Sequence, residues 1–569
     1  MGIKSNIRNS IFTLLLLLTA ALLLRSLLLT RWCGDFDSDE AIVGLMAKHI
    51  TEGHFPVFFY GQYYMGSLEA LVAAAIFWFA GHMNGFLLRL SPIAFYLAFM
   101  LVSFLWLDTW HNRSTAIWGT LFLAIPPAVL TKWTYVARGG FPEILFLGTL
   151  LLLLCQRGLT LGWNSRRVFG VGLVAGLALW TNPLAILYLT TVLVVWTLSS
   201  TWWPKWRARL LKLPAVAWLV MGLGLLVIVT IGLVFKPAID VIYIQRLLIA
   251  LILVTWVAWI ALARWLNRLK NNDHPASELY AFWLGLGGIL GVAPMLYFFL
   301  NPGNVTGGRD DFKVTTWQQL AEVWQLHLFE IFPALIGLRT YTDSASWGMF
   351  LAKIGVTLIF AAAVFLFCKH YGQALLDLIL LRPIIPQAGH YLWLLGSLTI
   401  GLGLIYGNNY ELERLRYFVP MLFVLGSLIG LALAQFQRYH PAIAITAAIF
   451  LWGYYGVMHW RYYQSLTATC PEQQVAQYLL AEQVKGGRAY FQHAYKLTFM
   501  SQERVIVAPY QSRERYEAYS HYVATLPQQT YIFQEGIETK LFLSELEPSP
   551  HFTQETVNGF NIFTFTGAQ

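Results

Sequence analysis

Charge is what this chain has least of. Asp, Glu, Lys and Arg make up 12% of its 569 residues, against roughly 25% in an ordinary soluble domain. Acid is scarcer still, with 29 Asp and Glu in all. That balance argues against a soluble or a disordered chain. Cysteine is nearly absent, and the four present (Cys33, Cys155, Cys368 and Cys470) show no metal-ligand spacing, which argues against a zinc module. Cys155 and Cys368 fall in or beside apolar runs, where buried thiols are expected. Cys33 and Cys470 fall on one side of the expected topology, but connectivity is not readable from spacing. No internal repeat or low-complexity segment stands out. The formal charge of +9 in such a chain chiefly marks cytoplasmic loops, so it gives little support for nucleic-acid binding.

What fills the chain instead is hydrophobic sequence, 57% of it, with 16% aromatic. Apolar runs close to the roughly 20 residues that cross a bilayer recur from residue 9 to about 458. The first, from Ile11 to about Thr30, follows Lys4 and Arg8. It carries Arg25 and lacks a clear small-x-small cleavage site, so it reads as an uncleaved span with a cytoplasmic N-terminus. Residues 68–80 are apolar but too few to cross. Placed in the interface, they leave Arg157, Arg166, Arg167, Lys205, Arg207, Arg209 and Lys212 inside, as charge bias requires. Further spans are predicted at 86–108, 115–131, 141–156, 168–181, 183–200, 214–235, 239–262, 279–300, 346–368, 388–406, 417–435 and 441–458. Thr181-Asn-Pro183 is a tight turn between two of them, because proline cannot continue a helix. The fold class is thus a polytopic α-helical membrane protein of about 13 spans. After about residue 459 the composition turns polar and short alternating stretches appear, among them Arg504–Ala508, Thr530–Phe533 and Phe560–Phe565. They predict a small extracytoplasmic α/β domain. The division is a membrane domain over 1–458, with a first outer loop at 31–85, and a soluble domain over 459–569.

The scarce acids cluster in that first loop. Asp35, Asp37, Asp39 and Glu40 fall within six residues of Gly34-Asp-Phe-Asp-Ser-Asp-Glu-Ala41. Asp37 and Glu40 have capping-box spacing for a helix running to about Thr51. Capping leaves Asp39 unexplained, and a first-turn carboxylate at a membrane face is a natural general base. Positive charges on the outer side, where charge bias disfavours them, complete the pattern. Arg138, Arg414 and Arg416 fall at span ends, where a lipid headgroup lies; interfacial snorkelling is the competing account. Glu411-Leu-Glu-Arg414 also permits local salt bridges. Glu143 near a span start and Glu69 at the opening of 68–80 are each either site acids or helix N-terminal acids. Asp310-Asp311 lacks a histidine partner and reads as a solvated loop, so no metal is expected. Tyr60, Tyr63, Tyr64, Trp133 and Tyr135 suit an interfacial belt first and a sugar- or prenyl-stacking surface second.

The order of these features resembles a family. One span is followed by an Asp-Glu pair opening a helix, then Tyr60-Gly-Gln-Tyr-Tyr-Met-Gly-Ser-Leu-Glu69, then Phe86-Leu-Leu-Arg-Leu-Ser-Pro92 at the next span. Ala137-Arg-Gly-Gly-Phe-Pro-Glu143 and the Arg-Tyr-x-x-Pro element Arg416–Pro420 continue it. This is similar to the GT-C superfamily of membrane glycosyltransferases, near the protein O-mannosyltransferase and aminoarabinose transferase branch. The resemblance implies an inverting transfer of sugar from a polyprenyl-phosphate donor to an acceptor protein, lipid or glycan on the outer face of the plasma (inner) membrane. Asp39 and Glu40 would be catalytic; Asp37, Gln62, Tyr63, Glu69, Arg138, Glu143, Arg414, Arg416 and Tyr417 would bind substrate. No cofactor is implied beyond the lipid-linked sugar itself. One departure stands out: Gly61-Gln-Tyr-Tyr64 replaces a lysine-bearing element of the aminoarabinose transferases. The alternatives are a lipid or glycan transporter or flippase, a ligase or polymerase of lipid-diphosphate glycans, and a catalytically inert assembly protein that binds partners through its outer domain.

Overall fold

A computed structural model describes residues 2–62, 64–200, 203–210, 275–300, 319–342, 346–405, 412–546 and 552–566. The expected spans at 214–235 and 239–262, together with Tyr63, Asp310 and Asp311, lie outside these. Among the described residues seven helices are long and apolar enough to cross a membrane: Ile11–Leu29, Gly85–Trp110, Phe141–Leu161, Trp347–Ile379, Ala388–Ile405, Met421–Tyr439 and Pro441–Ser465. The chain is a multi-pass membrane protein with a small sheet domain after the last of them. The labels used below are α1 (Gly2–Leu29), α2 (Ser38–Thr51), α3 (Leu68–Ala80), α4 (Leu90–Trp110), α5 (Phe141–Leu161), α6 (Met421–Tyr439) and α7 (Pro441–Ser465).

Several boundaries depart from the sequence reading, each for a local reason. The run 115–131 is not one span. It breaks into Arg113–Ala124 and Ala128–Lys132 around Pro126-Pro127, which lack the amide donors a helix needs. The helix from Trp347 continues to Ile379, bending at Tyr371, whose backbone is non-helical. Cys368 on it is exposed rather than buried, whereas Cys155 is buried as expected. The α3 helix has 13 residues, which at about 1.5 Å per residue falls short of a bilayer core of roughly 30 Å. It ends at Gly81, left-handed at φ 72°, a conformation that glycine adopts without a Cβ penalty.

Small residues let the spans close up. A Cβ built on Gly172, Gly176, Gly287 or Gly291 would run into the facing backbone, so Ser165–Thr181 and Pro275–Gly291 meet main chain to main chain. The arginine within the apolar run of α1, Arg25, is buried under the Tyr96 ring of α4, 3.9 Å from its centroid. Its Nε donates to Thr134 Oγ1 at 3.0 Å.

The C-terminal domain carries five strands in the order β2-β1-β3-β5-β4: β1 (Gly486–Ala489), β2 (Ile506–Pro509), β3 (Gln528–Gln534), β4 (Phe552–Val557) and β5 (Phe560–Thr566). β1 runs parallel to β2 and β3, while β5 is antiparallel to β3 and β4. Asn558-Gly559, both at positive φ, turn β4 into β5, the hairpin turn that matches strand twist. This domain sits on α2. Phe499 packs on Gly44, where any Cβ would enter its ring. Ser38 Oγ donates to Phe491 O at 2.5 Å, and Glu503 accepts from Lys48 Nζ at 2.6 Å. Cys33 and Cys470 form a disulfide with Cα atoms 5.4 Å apart, fastening the residues before α2 to those after α7.

Candidate active site

The acidic cluster of the first loop divides into a buried half and a half that faces the span ends. Asp37 caps α2 as its spacing predicts, accepting from Glu40 N at 3.0 Å. The reciprocal half of a capping box does not form, because the Glu40 side chain turns inward. Glu40 is 0% exposed. Its oxygens take Arg89 Nη2 at 2.5 Å and Nε at 2.8 Å, and Oε2 also takes Ala137 N at 3.1 Å. Arg89 reaches on through Nη1 to Asp35 Oδ1 at 2.7 Å. Asp35 Oδ2 accepts from Tyr135 at 2.8 Å and Tyr462 at 2.7 Å. Burial pushes the Asp35 carboxyl up, but Arg89, the Tyr462 hydroxyl, Lys132 and the Tyr135 hydroxyl outweigh it, and the group stays below the usual carboxylate range.

Glu40 was expected to act beside Asp39. The structure instead places it fully buried, with both oxygens bonded to Arg89. Arg89 carried no role in the sequence reading, yet it ties this network together. Its signal was available: an arginine opening an apolar span is expensive unless it faces acids.

The other half gathers three elements. Arg138 pairs with Asp37 Oδ2 and, at 2.8 Å, with Glu413 Oε2. Glu413 also pairs with Lys132, so it bridges the short helix Ala128–Lys132 and the 3-10 turn Leu412–Phe418; Glu411, the first acid of the local spacing, lies outside the described residues. Burial would raise its carboxyl, but Lys132 and Arg138 hold it below the usual range. Arg138 and Arg416 both approach the face of the buried Trp133, at 5.3 and 6.0 Å from its centroid, and Arg416 lies 5.0 Å from the Tyr417 ring. Among the described residues Arg416 makes no ion pair, and its Nε is buried without a hydrogen-bond acceptor. Burial disfavours its charge, yet Tyr417, Asp39 and Glu413 outweigh that and keep its pKa above the ordinary value.

Asp39 is half-buried at the first turn of α2, with Oδ1 shut off from solvent. The structure therefore brings Asp37, Asp39, Arg138, Arg416 and Tyr417 into one neighbourhood. Arg414 acts electrostatically on His327, toward the other side of the turn. Gln62 is 8% exposed in the turn closed by its amide on Phe59 O at 2.9 Å. Glu69 and Glu143 are buried beneath the site, 2% and 0% exposed. Glu69 Oε2 accepts from Gly139 N at 2.8 Å and Gly140 N at 3.2 Å. His49, Glu52 and Glu503 offer metal-ligand atoms within 4.8 Å of one another. Lys48 Nζ already bonds to both of those carboxylates, at 2.5 and 2.6 Å, and supplies the positive charge there.

No protein family matches the chain by sequence profile, and no curated protein matches it by sequence. Solved structures do match in shape. The archaeal oligosaccharyltransferase AglB from Archaeoglobus fulgidus, solved with an inhibitory peptide and a dolichol-phosphate, aligns over 98% of this chain and 74% of its own, with 12% identity and a TM-score of 0.50. ArnT from Cupriavidus metallidurans, bound to undecaprenyl phosphate, aligns over 96% of this chain and 99% of its own, with 14% identity and a TM-score of 0.36. AglB and ArnT are both GT-C glycosyltransferases. On the likeness to AglB the chain has the GT-C fold that its first-loop motifs resemble.

Proposed function

We propose that this protein transfers a sugar from a polyprenyl-phosphate donor to an acceptor on the side of the membrane where its sheet domain lies, with inversion. The observation that carries the reading is Arg416: a guanidinium without an ion pair among the described residues, over two aromatic faces and within electrostatic reach of Asp39. A half-buried cation that makes no ion pair among the described residues suits an anionic ligand, and Arg binds phosphate with a planar fork. The lipid phosphate bound to AglB supports the same class of donor.

In this reaction the acceptor oxygen or nitrogen attacks the anomeric carbon from the face opposite the phosphate. The bond from that carbon to the phosphate oxygen breaks, and its electron pair leaves on the phosphate. The acceptor proton passes to Asp39. Because phosphate departs without protonation, one carboxylate suffices where a glycosidase needs two. Arg416 and Arg138 stabilise the growing phosphate charge, and Arg138 exchanges contact with Asp37 and Glu413 for contact with the donor. Tyr417 and Trp133 wall the guanidinium pair. Glu40 and Arg89 hold the scaffold.

The test is turnover of a series of polyprenyl-phosphate sugars by purified protein, with products read by mass spectrometry. Asp39→Asn is expected to abolish transfer while donor binding and the folded state persist, and Arg416→Met to weaken donor binding. Full transfer by the Asp39→Asn variant would overturn the assignment.

A further inference from the structure

One acid in the site stands where a phosphate would fit. Glu413 gives an oxygen to each of two cations from different segments: Oε1 accepts from Lys132 Nζ, and Oε2 from Arg138 Nη1 at 2.8 Å. Aromatic faces hold both cations in place. Lys132 Nζ lies 5.5 Å from the ring centroids of Trp133 and of Tyr341, and the Arg138 guanidinium lies over the same Trp133. Arg416, three residues on from Glu413, approaches that ring too. A carboxylate shared between an ammonium and a guanidinium makes the contacts that two oxygens of a phosphate would make.

The three groups differ in how easily they can leave. The Lys132 and Arg138 side chains are 9% and 10% exposed, whereas that of Glu413 is 37% exposed. The acid can turn into water at little desolvation cost, and the two cations cannot follow it. Charge left uncompensated away from water is costly, so the departure of Glu413 calls for another anion. Asp37, the second acid on Arg138, is tied down. Its Oδ1 caps α2 through Glu40 N at 3.0 Å while Oδ2 meets Arg138. The Glu413 side chain makes no hydrogen bond or ion pair among the described residues besides those to Lys132 and Arg138.

We propose that Glu413 is a built-in stand-in for the donor's phosphate: it fills the cradle between Lys132 and Arg138 while the site is empty and swings out when the lipid phosphate enters. This role rests on the polyprenyl-phosphate reading above and adds two parts to it. Lys132 becomes a phosphate ligand beside Arg138 and Arg416. Glu413 becomes a competitor that returns to the cradle after transfer and helps to expel the spent lipid phosphate. A group that occupies the binding-competent state lowers the apparent affinity by the fraction of time it sits there.

Binding of undecaprenyl phosphate to the purified full-length protein in micelles tests this, with undecaprenol as the uncharged control. Glu413→Gln keeps the shape and removes the competing charge. It should bind undecaprenyl phosphate about tenfold more tightly than wild type, the gain expected if the competitor fills the cradle about 90% of the time. Glu413→Asp, one methylene shorter with its charge kept, should fall between the two and carries the test if Glu413→Gln folds poorly. Adding Lys132→Gln to Glu413→Gln should weaken binding about tenfold, the loss of one charge-assisted hydrogen bond. Undecaprenol should bind all these forms alike. Equal or weaker binding of undecaprenyl phosphate by the Glu413 variants would overturn the stand-in, because a carboxylate that merely supported the two cations would weaken binding when removed. An equal gain for undecaprenol, no loss from Lys132→Gln, or no binding of undecaprenyl phosphate by any form would overturn it as well. Sugar transfer by the wild type is scored apart: its absence sinks the proposed function, and the sign of the Glu413→Gln change still decides the role of Glu413.

Discussion

Replacing Arg89 by methionine asks the most of the structure. The guanidinium is 0% exposed and makes three close contacts to two acids, at 2.5, 2.8 and 2.7 Å. Methionine fills much of the same volume, so the change is mostly one of charge. Removing one partner of a buried pair destabilises by about 3–5 kcal/mol, because the other charge stays buried without compensation. The loss should fall unevenly. Asp35 keeps two tyrosine hydroxyls, whereas Glu40, among the described residues, keeps only the Ala137 amide. Adding Glu40→Gln to Arg89→Met should therefore restore more stability than adding Asp35→Asn. The non-additivity in that cycle measures the pairing itself. Unfolding by sodium dodecyl sulfate in mixed micelles, followed by circular dichroism, gives the energies. Arg89→Lys should fall between wild type and Arg89→Met, since an ammonium cannot fork onto a carboxylate. The reasoning is refuted if Arg89→Met lies within about 1 kcal/mol of wild type, the range of an exposed pair.

Three further outcomes follow from the contact between α2 and the sheet domain. Cys33→Ser with Cys470→Ser should destabilise that contact by about 2–5 kcal/mol, seen as faster limited proteolysis after residue 466 with the membrane helices intact. Gly44→Leu should separate the domain from α2, because the side chain would occupy the space of the Phe499 ring; cross-linking across the contact would show it. Glu503 is opposed by burial but held down to about 2 by His49, Lys48 and Tyr519. Its contribution is full above the unfolded value of about 4.5 and is lost as pH falls toward 2, so acid should loosen the domain in wild type and much less in Glu503→Gln.

What could be read in the sequence was local. The helix opening at Ser38 with its Asp37 cap, and the short helix over 68–80, follow from spacing and run length within a dozen residues. The broken span around Pro126-Pro127 was legible in the same way and was read too smoothly. The pairings that build the site are not local. Arg89 meets Glu40 across 49 positions, Lys132 meets Glu413 across 281, and the disulfide joins residues 437 apart. A single sequence holds the charges but not the distances between them. Strand β4 escaped for a different reason: Thr553-Gln-Glu-Thr556 is an exposed polar edge, with no apolar alternation to give it away.

That disulfide also imposes an order on biogenesis. At roughly 5–20 residues per second, a ribosome needs about 20 to 90 seconds to cover the 437 positions from Cys33 to Cys470. Throughout that interval the first thiol waits without its mate. The bond closes only after α7 has been threaded and the last cysteine has emerged on the same side. Trapping free Cys33 with a membrane-impermeant alkylating reagent during pulse labelling would thus report how many newly made chains have yet to complete insertion.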